Sequence, residues 1–234
     1  MLARLLALYG SEYSVRLDLT YRMSRELCAF PSRMWYEGAL QAAPENAGNR
    51  LRLEGDRRGD WLDQVIDPDR SVALVLVEHR GQRQRADEEV EVVTDLAYRL
   101  LVEHGVDAEQ LALISPHRAQ NSATAERLER MLAGKGVSLP LIDTVERVQG
   151  AERDVVLFAF TASDLEVIGS PFLNSPNRFN VALTRARKKL IVVGSQAFFA
   201  AVPPSEEGLE ANRCFKAFGE YCRERGWVSR RAHR

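Results

Sequence analysis

Three short runs, Val72 to Val77, Val155 to Phe160 and Leu190 to Val193, are apolar from end to end and rich in β-branched residues. A strand with one face in water alternates apolar and polar residues. These do not alternate, so both of their faces must be covered, as happens when helices lie above and below a parallel sheet. Val15 to Leu19, Leu111 to Ser115 and Leu139 to Asp143 are further runs of strand length. Helical patterns fall between them. Asp87 to Glu103 puts Val90, Val93, Ala97, Leu100 and Leu101 on one face, with Gly105 placed to cap the end. Arg118 to Leu132 is a run of helix formers ended by Gly134 and Gly136, and Asn177 to Arg187 and Glu206 to Glu224 complete the set. The alternation predicts an α/β fold, an open and mostly parallel sheet with helices on both faces. Sheets of this kind place ligands off the carboxyl ends of their strands.

With 234 residues the chain can bury one good core. Its net charge of −1 hides an uneven distribution. Every charged residue from Arg178 to Lys189 is basic, and the chain ends Arg230-Arg231-Ala232-His233-Arg234. Local basic clusters in a neutral whole suit a protein that holds phosphates in places, not one that coats DNA. The final arginines read as a frayed, solvated tail. No apolar run reaches the roughly 18 residues needed to span a bilayer, so no membrane partner is expected. Met1 to Gly10 reads as a short amphipathic helix, because Arg4 interrupts it and Glu12 closes it too early for a signal sequence. Cys28, Cys214 and Cys222 form no C-x-x-C pair and leave an odd thiol, which disfavours disulfides and zinc and suits a reducing, cytoplasmic setting. Gln41 to Asp69, rich in Pro, Gly, Asn and Asp, reads as a loop-rich excursion. Its Arg58-Gly59-Asp60 is a chance tripeptide.

Chemistry concentrates in three segments. The first is Leu19-Thr20-Tyr21-Arg22-Met23, and the second is Val148-Gln149-Gly150-Ala151-Glu152-Arg153-Asp154. The third, Asn180-Val181-Ala182-Leu183-Thr184-Arg185-Ala186-Arg187, reads as a helix with two arginines near its end that feeds the Leu190 strand and aims cations at one point. In this order the segments resemble motifs IV, V and VI of superfamily 1 helicases, in the branch that includes the nonsense-mediated-decay helicase and the Okazaki-fragment nuclease-helicase. The resemblance runs from about Leu17 to Val202. It implies a RecA-like C-terminal motor domain over residues 1–202, followed by a C-terminal helix and basic tail over 203–234. No G-x-x-x-x-G-K-[ST] loop is present, nor an acidic strand to pair with one. The resemblance therefore implies that ATP with Mg2+ is held mainly by an N-terminal RecA-like half outside this sequence. On that view the chain is a truncated reading frame, a fragment, or a subunit whose partner carries the phosphate loop.

By the same resemblance Arg185 and Arg22 are arginine fingers. A guanidinium suits that task because it stays charged and offers a rigid fork of donors. Gln149 would belong to the nucleotide site, Gly150 would meet the γ-phosphate through its amide, and Glu152 would take the ribose. Arg187 either assists at the phosphates or braces the helix, and Tyr21 either stacks on the base or packs. A second surface would hold single-stranded DNA or RNA. Ser115-Pro116-His117-Arg118-Ala119-Gln120 occupies the place of the family's Thr-Pro-Tyr-x-x-Gln segment, with free amides at a helix start, and Thr144 is the motif V hydroxyl. The chain departs from the family at His117, where tyrosine is common, and at Thr20, where glutamine often stands. Phe30, Trp35 and Tyr36 read as core residues. The competing reading is a non-enzymatic module, derived from a helicase, that binds nucleic acid or protein.

Overall fold

A computed structural model describes residues 17–231. Its main sheet has six strands, all parallel: β3 (Val72–Val77), β4 (Leu111–Ile114), β5 (Leu141–Asp143), β6 (Arg153–Ala159), β7 (Ala186–Ser195) and β8 (Val228–Arg231), in the order β5-β4-β6-β7-β3-β8. The central strands are covered on both sides, as their lack of alternation requires. Val72, Leu74 and Leu76 join Val156, Phe158, Leu190 and Val192 in one core. Ala73, Val75 and Val77 join Val155, Leu157, Ile191 and Val193 in the other. The first core is closed by aromatic residues from three helices: Phe30 of α1 (Arg25–Trp35), Phe179 of α6 (Pro176–Leu183), and Phe215 and Phe218 of α8 (Glu206–Glu224). The second is closed by Leu96 of α3 (Asp87–Tyr98) and by Leu128 and Leu132 of α4 (Arg118–Leu132). The fold is the α/β, RecA-like arrangement of a parallel sheet between helices.

Several boundaries differ from the sequence reading. Of the expected Val15 to Leu19 strand, Val15 and Arg16 lie outside the described residues, as does the Met1 to Gly10 helix. The described part of that segment holds a two-residue strand, β1 (Leu19–Thr20), paired in parallel with β2 (Gln41–Ala42) in a separate sheet. The expected helix to Arg187 stops at Leu183, so Arg185 lies in the turn beyond it and Arg187 already belongs to β7. The tail reading of Arg230 and Arg231 is also corrected. Both lie in β8, the edge strand beside β3, and the Arg231 guanidinium sits 4.8 Å over the Trp61 ring. Residues 232–234 are outside the described part. With Cys214, Phe215, Phe218, Tyr221 and Cys222 buried, α8 is part of the main core.

The loop-rich excursion carries one short helix, α2 (Trp61–Val65). It is held by Arg99, in a π-helical turn (Arg99–Glu103) that extends α3. Arg99 is ion-paired to Asp60 at 2.7 Å, to Asp63 at 2.7 Å and to Glu103 at 2.8 Å. Among the described residues two short α-helices remain, α5 (Leu165–Ile168) and α7 (Gln196–Ala200), with a 3-10 turn at Ala108–Gln110. Among the described residues no helix is long and apolar enough to cross a membrane.

Candidate functional site

The three sequence segments converge at the amino ends of β6 and β7. The turn after β1 brings Arg22 to Glu152, whose Oε2 accepts from the arginine Nε at 2.6 Å. The same guanidinium donates to the Thr184 carbonyl at 3.0 Å, so all three segments meet at one side chain. Glu152 also faces Arg187 at 3.4 Å. The hydrogen bond from Arg22 is the main reason its carboxyl lies below the usual glutamate range, and the charge of Arg187 adds to the effect. Arg187 also meets Asp154 at 2.8 Å and hydrogen-bonds Gln110. Lys188 takes the second Asp154 oxygen at 2.8 Å. Arg187 is thus engaged as a brace between strands.

Arg185 is built differently. Its Nε donates to the Val181 carbonyl at 3.0 Å, at the carboxyl end of α6 where orphan carbonyls favour a cation. Its other contacts are the Ala151 carbonyl at 3.4 Å and the Thr184 hydroxyl at 3.3 Å. No carboxylate lies within ion-pair distance of it among the described residues. Burial first, then the nearby charge of Arg22, lower its pKa. A half-buried cation disfavoured in this way is one that an incoming anion would stabilise. Gln149 and Gly150 are exposed beside it. Gly150 has φ +89°, and the position its Cβ would take is open, so the turn can approach a ligand closely. Tyr21 is 68 % exposed.

The second group of expected residues lies at the other end of the sheet. Pro116, His117 and Arg118 follow β4, Thr144 follows β5, and all four line a cleft of about 790 Å³. The general rule for such sheets places ligands at the strand carboxyl ends. That holds for the cleft, whereas the Arg22, Glu152 and Arg185 group sits at the amino ends. His117 is buried, and burial lowers its pKa. Its Nε2 has no hydrogen-bond partner. Gln120 is a correction. It is fully buried, its Oε1 accepts from the Ala86 amide at 2.9 Å and its Nε2 donates to the Ala86 carbonyl at 3.3 Å. It therefore ties α4 to the start of α3 and does not reach the cleft.

Sequence reading passed over the remaining lining. Arg83, Arg147, Phe172 and Arg178 also line the cleft, together with Glu146 and Glu166. The density of arginine in Arg80-Gly81-Gln82-Arg83-Gln84-Arg85 was a usable signal for the first of these; Phe172 had none. Also missed was Glu89, an acid that reads as a helix-dipole partner in the first turn of α3. It is fully buried, 2.8 Å from His79, and its second oxygen accepts from the Thr161 amide at 2.9 Å. Burial is the main cause of its raised pKa. Thr161 has φ +74°, a left-handed conformation costing about 1–3 kcal/mol for a β-branched residue. Glu89 and a 3.0 Å contact to Ser115 hold it there, which shapes the floor between β4 and β6. Phe30 and its T-shaped partner Trp35, 5.8 Å apart, pack into the core as expected.

The AAA domain family (AAA_12) matches residues 1–197. The chain belongs to that family. Within it, the chain is a C-terminal domain of the superfamily 1, Upf1- and Dna2-like helicase branch. It is 31 % identical over 219 residues to "Probable helicase MAGATAMA 3" of Arabidopsis thaliana, covering 87 % of this chain and 26 % of that protein. It is 31 % identical over 195 residues to "Regulator of nonsense transcripts 1 homolog" of Drosophila melanogaster, covering 79 % and 16 %. It is 25 % identical over 203 residues to "DNA replication ATP-dependent helicase/nuclease DNA2" of Gallus gallus, covering 82 % and 18 %. The chain thus spans about a quarter or less of the length of these curated relatives.

Proposed function

We propose that this chain is the second motor half of an ATP-dependent helicase, supplying cations and a ribose contact to the nucleotide and part of the track for single-stranded DNA or RNA. The observation that carries the reading is the convergence of Arg22 and Arg185 on Thr184, beside an open glycine turn, with Arg185 left without a carboxylate partner among the described residues. That arrangement fits the terminal phosphate of ATP. Bound ATP with its Mg2+ would supply the anhydride whose cleavage drives the motor. Arg185 and Arg22 would stabilise charge spread over the equatorial oxygens in transfer, a contribution of about 10³–10⁵ in rate for an arginine finger. Glu152 would offer an oxygen to the ribose hydroxyls, as acidic residues do in dinucleotide folds. At the other end of the sheet, Thr144 and the turn from Pro116 to Arg118 would hold backbone phosphates.

The phosphate loop and its acidic partner would come from an N-terminal half. The test is to mix or fuse this chain with the P-loop half of a relative and measure ATP hydrolysis with and without single strands. The chain alone is expected to show no turnover above background and the combination to turn over. Turnover by the chain alone, lost in Arg185→Ala, would reject the half-motor reading. A combination that stays inert while the strand still binds would favour the non-enzymatic module.

A further inference from the structure

The family's tyrosine is replaced here by His117, which is 8 % exposed and cannot offer a ring face to a base. The exposed aromatic ring of the cleft comes instead from Phe172, between α5 and α6, and it is 42 % exposed. A lone exposed apolar side chain is ordinary, and what sets this one apart is its surroundings. The Arg178 guanidinium lies 4.6 Å over the Phe172 ring and donates to the Phe172 carbonyl at 2.6 Å. Arg178 is in turn held by Glu146 at 2.6 Å. The His117 ring flanks Phe172 at 5.4 Å, tilted by 43°. The phenylalanine is therefore fixed at its backbone and backed by a cation and an imidazole, with part of its ring open to the cleft. Arg118 lines the same cleft, as do Arg83, paired with Asp164 and Glu166, and Arg147, paired with Asp143 at 3.7 Å, so Arg118 is the first candidate to meet a phosphate beside this apolar, planar centre. Planar aromatic surface framed by cations is the combination that binds single-stranded nucleic acid, with base stacking on the ring and phosphates on the arginines.

We propose that Phe172, braced by Arg178 and His117, is a stacking platform for one nucleobase of the bound strand. This rests on the reading of the cleft as the single-strand track. It adds a contact to the base itself, made without sequence preference because every base has a π-face.

The experiment measures binding of the full chain at low salt to two oligonucleotides of equal length. One contains 2-aminopurine among thymines, and the other carries abasic sites at the same positions. The intact strand is expected to bind about tenfold more tightly, which corresponds to roughly 1.4 kcal/mol. Phe172→Ala should abolish that preference and leave abasic-strand affinity unchanged. Phe172→Trp should preserve it, with the new indole fluorescence quenched by the intact strand. Phe172→Leu, which keeps the apolar volume but not the π-face, serves the same purpose where the alanine variant melts early. A preference that survives Phe172→Ala or Phe172→Leu overturns the proposal. So does an equal loss for both strands. The underlying reading is checked separately by Arg118→Ala. Weakened binding to both oligonucleotides, with Phe172→Ala neutral, rejects the platform alone. Absence of strand binding by the chain rejects both.

Discussion

At the amino ends of β6 and β7, Glu152 stands between two arginines at 2.6 and 3.4 Å, and Asp154 between Arg187 and Lys188 at 2.8 Å each. At the carboxyl ends of β4 and β5, about 790 Å³ of cleft is lined by four arginines, three of which sit on acidic neighbours, Arg83 on Asp164 and Glu166, Arg147 on Asp143 and Arg178 on Glu146. The first region is a lattice of paired charges in which Arg185 is held by the Val181 and Ala151 carbonyls and the Thr184 hydroxyl. The second is open and organised around a single ring. The difference matches the tasks proposed for them. Charge developing on a phosphoryl group is best met by donors already in place, so that little reorganises during reaction. A strand that must slide is better held by few, weak and sequence-blind contacts.

The comparison can be broken most decisively at Arg185. In the assembled two-half enzyme Arg185→Ala should lower kcat by about 10³ or more, and Arg185→Lys should not restore it, because a point charge cannot reproduce the fork. Strand affinity should not change. If it falls in parallel, the two ends of the sheet do not act separately. Glu152→Gln comes next. Loss of the charged acceptor should raise the KM for ATP about tenfold with a smaller effect on kcat, and a kcat loss as large as that of Arg185→Ala would instead assign Glu152 to holding the finger.

Gln120→Leu tests the placement of that side chain. Leaving the Ala86 amide buried and unpaired should cost about 1–3 kcal/mol in denaturant unfolding, while the folded protein binds strand normally. Unchanged stability with weakened strand binding would return Gln120 to the track. Acid titration separates the two ends by pH window. The folded pKa of His117 lies below 6.5, so the folded state binds fewer protons there, and stability should fall as pH drops below about 6.5. The slope is at most about 1.4 kcal/mol per pH unit, and His117→Asn should remove it. The folded pKa of Glu152 lies below 4.5, so its contribution is present above that pH and lost as pH falls through the depressed value. That side chain is 41 % exposed, and solvent screening makes its share the smaller one. The smallest effect concerns salt. Two or three phosphates engaged by the cleft should give a slope of log affinity against log salt near −2, at about −0.7 per phosphate. A much steeper slope, flattened by Arg230→Gln and untouched by Thr144→Ala, would move the contact to β8.

Legibility in the sequence followed the range of the interactions involved. Arg22, Glu152 and Arg185 could be named because each sits in a compact motif, although the spacing did not show that Arg185 lies beyond its helix. Phe172 and Glu89 could not, and Arg178 was visible only as one charge of the basic run from Arg178 to Lys189. Their roles depend on partners far away in the chain, and alone each reads as an ordinary loop or helix residue. Gln120 was misplaced because a glutamine at a helix start looks the same facing solvent or facing the Ala86 backbone. The strand Val228 to Arg231 was missed because an edge strand ending in two arginines carries no apolar run.

The unbroken apolar runs determined strands covered on both faces, and their alternation with helical patterns determined a parallel sheet between helices. The three motifs by themselves determined the family. Tertiary structure alone decided that the motif cluster and the cleft occupy opposite ends of the sheet. In a parallel sheet a loop before a strand and a loop after it lie a full strand length apart, and nothing local in the sequence says which loops will face the same ligand.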